Sequence, residues 1–215
     1  MNNFPDFLNL LLDSEKLIAY GGLTLLLLIV FAETGLFFGF FFPGDALLFT
    51  SGLLCDTKYF DVNIFVLLFS VTLAAFTGNV VGYISGRIFG KKLFTKNDSF
   101  IFKKRHLEKT KSFYDKYGGT SLIAGRFLPI VRTFVPIFAG AINMNFWKFC
   151  LYNLIGAILW ICTLIPIGYF LGKQYPGLIN EMEYIILGFV LVTTLILIRG
   201  AKKLKAQKQI ENEKV

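Results

Sequence analysis

Charge is almost missing from the middle of this chain: between Tyr117 and Lys148 the only charged residues are Arg126 and Arg132. Charged residues make up 17% of the 215 positions against 55% hydrophobic, and several uncharged runs reach membrane length. That composition excludes an ordinary soluble enzyme and implies a single integral membrane domain. Histidine occurs once, as His106, with no second histidine or cysteine cluster near it, so neither a metal centre nor a histidine-based catalytic site is expected. The three cysteines, Cys55, Cys150 and Cys162, form no paired spacing and lie in or near apolar segments. Free thiols are implied, with no disulfide and no cofactor. Residues 1–20 lack a basic start followed by an apolar core and a small-residue cleavage site, so no removable signal peptide is expected.

What is present is a series of apolar runs set beside two basic segments. The net charge of +8 suggests nucleic acid at first sight. The basic residues crowd next to apolar spans, however, where they act as orientation signals, so the implied partner is a membrane and no nucleic acid. Residues 1–20 place Phe4, Phe7, Leu8, Leu11 and Leu12 at helical spacing and predict a short interfacial helix. Residues 21–54 hold only two charges, Glu33 and Asp45. As one helix they would run about 50 Å against a hydrocarbon core of about 30 Å, so the chain must turn back. Pro43 and Gly44 supply the turn, proline by removing a backbone donor and glycine by accepting a tight reversal. Residues 62–86 predict a crossing helix that ends in a ridge of Gly78, Gly82 and Gly86, continued by Gly90, which lets another helix approach closely. Residues 87–117 are strongly basic and predict a cytoplasmic amphipathic segment lying on anionic lipid headgroups.

Charge parity decides how residues 118–144 are read. A single crossing there, followed by spans at 146–171 and 184–198, would deliver the basic tail 199–215 to the outside, against the positive-inside rule. A segment that enters and returns to the cytoplasmic face restores the rule, and its 27 residues are too few for two crossings of about 20 each. A re-entrant hairpin broken at Pro129 and Pro136 is therefore predicted. The expected architecture is an all-α integral membrane protein: an inverted repeat of re-entrant helical hairpin plus transmembrane helix, with a closing C-terminal transmembrane helix and a cytoplasmic C-terminus.

An arginine at mid-bilayer costs roughly 2.5 to 3.5 kcal/mol on the insertion scale, so Arg126 and Arg132 require a counter-charge, a wet cavity or an anionic ligand. Two hairpin tips meeting inside the membrane would set Glu33 and Asp45 against Arg126 and Arg132. A purely structural ion cluster is one reading; buried pairs, however, seldom repay their desolvation as fasteners. The other reading is a site in which planar guanidinium forks bind a phosphate and the carboxylates, by taking protons, open or close it.

At these residues the chain resembles the DedA family of bacterial membrane proteins, also called SNARE-associated or VTT-domain proteins. Two motifs carry the resemblance, the E-x9-P-G-D of Glu33, Pro43, Gly44 and Asp45 and the G-R-F-x-P-x-x-R-T-x-x-P-x-x-A-G of Gly125 to Gly140, within a match from about residue 21 to 171. The resemblance implies the re-entrant inverted-repeat fold in a bacterial plasma membrane. It also implies translocation of undecaprenyl phosphate to the cytoplasmic leaflet, dependent on a proton or cation gradient. The family's essential acids fall on Glu33 and Asp45 and its essential arginines on Arg126 and Arg132. Since members differ in lipid, a phospholipid scramblase is the alternative expectation. A membrane lipid phosphatase is a weaker one, for want of a nucleophile or metal cluster.

Overall fold

The computed structural model describes residues 14–36, 44–95, 119–126 and 129–175, together with 177 and 188. Within them the chain forms six helices and no strand: α1 (Ser14–Gly35), α2 (Gly44–Leu54), α3 (Ile64–Thr95), α4 (Thr120–Gly125), α5 (Pro129–Ala141) and α6 (Phe146–Gln174). Two of these are long and apolar enough to cross a membrane, α3 over Ile64–Ile88 and α6 over Phe146–Gln174. At 1.5 Å per residue, 25 and 29 residues give about 37 and 43 Å. Both helices leave large apolar side chains uncovered, with Phe65, Phe69 and Trp147 each more than 70% exposed. A water-soluble monomer rarely shows so much apolar surface, whereas lipid is its natural covering.

The remaining apolar helices are short. α1 is interrupted at Gly22, whose φ of 56° and ψ of −154° are open to glycine alone, leaving Gly21–Gly35 as its apolar part. That piece and the 11-residue α2 would extend about 22 and 16 Å, each less than a bilayer core. The expected turn at residues 42–45 falls partly outside the described residues, but α2 starts at Gly44 as that turn requires. The crossing helix expected to end at Gly86 runs on to Thr95, so the first part of the basic segment continues α3. His106, the interfacial helix before residue 14, the rest of the basic segment and the last expected span lie outside the described residues.

Sequence chemistry explains where the long helices start. Asn63 accepts a hydrogen bond from the Phe65 backbone N–H (2.9 Å) and Asn145 from that of Lys148 (3.1 Å), satisfying donors that open a helix. α5 closes in a Schellman turn: Asn143 takes φ 53°, its N–H bonds the Gly140 carbonyl and Met144 N–H bonds the Ala139 carbonyl, both at 3.0 Å. Tyr83 of α3 ties that turn down by donating to the Met144 carbonyl at 2.5 Å.

Small residues decide which helices meet. A Cβ at Gly52 of α2 would collide with the Ile165 backbone of α6, and one at Gly168 with the Phe49 backbone. On the other side, a Cβ at Gly86 of α3 would strike Ile137 of α5, and one at Gly140 of α5 would strike Tyr83. α2 thus seats on α6 and α5 on α3, each through glycine. The expected ridge on α3 is a packing surface: Gly78 faces α1 beside Gly35, and Gly82 and Gly86 face α5. Leu48, Leu54, Leu67, Val71, Ile161 and Ile165, all fully buried, fill the space between the helices.

Candidate functional site

Three helix ends bring charge to the middle of this bundle. Pro129 opens α5, where its missing N–H costs no hydrogen bond, and three residues on stands Arg132, 8% exposed. Its Nη2 donates to Glu33 Oε1, in the last turn of α1, and its Nη1 to Asp45 Oδ1 at 2.5 Å, in the first turn of α2. Glu33 is fully buried. Gly44 lies so close that a Cβ there would fall on the Glu33 carboxylate, which therefore sits at the positive N-terminal end of α2. From α6, Trp160 Nε1 donates to Asp45 Oδ1 at 2.9 Å, and its ring centre is 4.7 Å from the Arg132 guanidinium carbon. Among the described residues, Glu33 Oε2 and Arg132 Nε have no hydrogen-bond partner.

Magnitudes favour a working site over a fastener. A pair of unit charges 4 Å apart attract by about 4 kcal/mol at an effective dielectric constant of 20. Taking each ion out of water costs several kcal/mol, so a triad of two acids and one base gains little net stability. It does gain geometry: Arg132 is held by groups whose charge a proton can remove.

Arg126 is held differently. It follows α4 and is 4% exposed, and its Nη1 donates to the Asn153 backbone carbonyl at 2.5 Å. The Asn79 amide, oriented by its partners, accepts from Arg126 Nη2 at 2.5 Å and donates to the Thr34 carbonyl at 2.9 Å. The Asn79 and Asn153 amides are 2.8 Å apart, joining α3 to α6. The Trp160 ring centre stands 5.9 Å from the Arg126 guanidinium carbon. Among the described residues no carboxylate lies within ion-pair distance of Arg126. Beside it is a cavity of about 10 Å³, lined by Asn79, Leu122, Arg126, Arg132, Val135, Pro136, Phe149 and Asn153. That is space for about one water, far too little for a phosphoryl group without movement of the helices.

The sequence expectation of two acids facing two arginines is thus realised unequally: Glu33, Asp45 and Arg132 meet, while Arg126 stands beside them on neutral oxygens. Gly44 and Pro129 each begin a helix, and Pro43 lies outside the described residues. Pro136 corrects the expectation of a second break. It lies inside α5, which runs on to Ala141, and its effect is to withhold the N–H that the Arg132 carbonyl would otherwise accept. Sequence reasoning passed over Asn79 and Asn153 and gave Trp160 no more than an interface or packing role. A signal existed for the asparagines, because an amide in the middle of an uncharged span has to find a partner there.

The family model described as VTT domain matches residues 42–170. The chain is 42% identical over 171 residues to Protein DedA of Escherichia coli strain K12, covering 80% of this chain and 78% of that protein. It is 40% identical to the uncharacterized membrane protein Rv0364 of Mycobacterium tuberculosis H37Rv, over 85% of this chain and 80% of the relative. To the inner membrane protein YqjA of E. coli K12 it is 31% identical, over 81% and 78% of the two chains. No solved structure matches the chain.

Proposed function

Because the chain belongs to the DedA family of VTT-domain membrane proteins, we propose that it is a transporter that flips a polyprenyl phosphate, undecaprenyl phosphate in the first instance, across the bacterial plasma membrane. The observation that carries the reading is the bond of Arg132 to both Glu33 and Asp45 beside a second buried arginine that has no acidic partner among the described residues. Protonation of the two carboxylates weakens their hold on Arg132 and frees its planar fork for the phosphate, while the prenyl tail stays in lipid. Proton binding and anion binding are coupled because they compete for one guanidinium.

The helix pairing supports an inverted repeat. The first hairpin is α1 and α2, the second α4 and α5, and each second leg packs on the spanning helix of the other half. Both hairpins then enter the membrane without crossing it, from opposite faces, and the C-terminus is cytoplasmic. In such transporters the halves rock against each other around a midplane site, which is how a cavity of about 10 Å³ would open to a headgroup.

The test is reconstitution into liposomes with labelled undecaprenyl phosphate under an imposed pH gradient. Wild type is expected to translocate the lipid faster with the gradient, and Arg126→Gln and Glu33→Gln to run near the protein-free rate. Transport by both variants at the wild-type rate would remove the site assignment. Transport indifferent to headgroup and gradient would identify a scramblase instead.

A smaller change probes the same geometry. Gly44→Ala sets a methyl group where the Glu33 carboxylate now lies, and that carboxylate is the mobile end of a side chain, so the fold is expected to survive. The Arg132 bond to Glu33 is lost, and a hydrogen bond to a charged group is worth about 1.5 to 3 kcal/mol. Transport is expected to fall about 10- to 100-fold, with the unfolding midpoint lowered by no more than the loss of that one bond.

A further inference from the structure

We infer that Arg126, Asn79 and Asn153 form a second phosphoryl-binding station, separate from the Arg132 cluster, in which the anionic head rests while Arg132 is still held by its carboxylates. The inference rests on the phosphate-transport reading and assigns two residues that reading does not use.

Four observations carry it. Arg126 is a 4% exposed cation whose partners are neutral oxygens, the Asn153 carbonyl and the Asn79 amide. An anion reaching Arg132 has to displace two carboxylates, whereas one reaching Arg126 displaces, among the described residues, uncharged acceptors. The Asn79 amide, which gives Arg126 its oxygen when the site is closed, presents its NH2 group to an anion once it turns over. The cavity is lined by both arginines and both asparagines, so the two stations open into one space.

Position along α6 separates the stations. Asn153 precedes Trp160 by seven residues, about 10 Å along the helix axis, and it is Trp160 that bonds Asp45 and lies over Arg132. The Trp160 ring faces both guanidinium groups, at 4.7 and 5.9 Å. It therefore lies beside both stations, within reach of each guanidinium group.

The competing account is that the two amides only fasten α3 to α6. Binding separates the accounts, since a loosened fastener lowers the fraction of active protein without moving the affinity of what remains. Farnesyl phosphate is titrated into the full-length protein in detergent, and half-saturation and maximal rate are measured in liposomes. Asn153→Leu and Asn79→Leu are each expected to raise Kd and half-saturation about tenfold and to change the maximal rate less than about twofold. Asn153→Gln, which keeps the amide, is expected to recover most of the affinity; Asn79→Ser serves if the leucine variant fails to fold. Inorganic phosphate is run as competitor: displacement at similar concentration identifies the phosphoryl group alone as the ligand, and displacement by the prenyl compound only identifies the lipid. Asparagine variants that bind as tightly as wild type overturn the second station alone. Wild type that binds no phosphate compound overturns this inference together with the reading beneath it.

Discussion

Arg132→Leu is expected to destabilise the protein by about 3 to 5 kcal/mol and to abolish transport, because it leaves the buried Glu33 carboxylate and the part-buried Asp45 carboxylate at one point with no cation between them. Glu33 is fully buried, and Asp45 retains only the Trp160 indole as a hydrogen-bond donor in this cluster. Neutralising one of the acids in the same chain removes much of the conflict. The double variant Arg132→Leu with Glu33→Gln is therefore expected to be more stable than Arg132→Leu alone, with a coupling of about 0.5 to 3 kcal/mol in a double-mutant cycle of unfolding midpoints in detergent. Transport is expected to stay absent, since the fork that takes the phosphate has not returned. Recovery of folding without function separates the two roles of one residue. Additive effects of the two substitutions would show that the ion cluster does not form.

The charged part of this site was legible in the sequence because a membrane makes charge expensive. Glu33, Asp45 and Arg132 had to find one another or a ligand. The same argument gave Arg126 an acidic partner, and there it overreached. Arg126 instead places N–H groups on a helix carbonyl and an asparagine amide, and nothing in residue order announces that Asn79 and Asn153 lie 2.8 Å apart across 74 positions. Trp160 escaped for a related reason. A tryptophan in an apolar helix looks like packing, and only the fold sets its N–H on Asp45.

Backbone features divide the same way. The glycines of α3 declared a close approach but not the partner, which is α1 at Gly78 and α5 at Gly82 and Gly86. Pro136 looked like a break because proline removes a helical donor, yet α5 carries it, and the carbonyl deprived of its partner is that of Arg132. α3 outran its predicted end because the basic residues beyond Gly86 are good helix formers.

The seam between α3 and α5 supplies the second large effect. A Cβ on Gly140 would fall on the Tyr83 carbonyl oxygen, and the next atom in its way is the Arg87 backbone nitrogen at 2.8 Å. Neither is the movable end of a side chain, so Gly140→Val forces the two helices apart. Overpacking of this kind costs about 1 to 3 kcal/mol, and more where backbone has to move. Here the cost does not stay local. Arg132 is eight residues earlier on the same helix, about 12 Å along its axis, and a displaced α5 draws the guanidinium away from Glu33 and Asp45. Gly140→Val is therefore expected to lower the unfolding midpoint and to abolish transport together. Gly52→Val, which drives α2 against the Ile165 carbonyl of α6, is expected to do the same through Asp45. Gly177→Val, with no atom of the described residues within 4 Å of its added Cβ, serves as the control. If valine at 140 left both midpoint and transport unchanged, the helices would not be in contact there, and the charges they position would have to be held by something else.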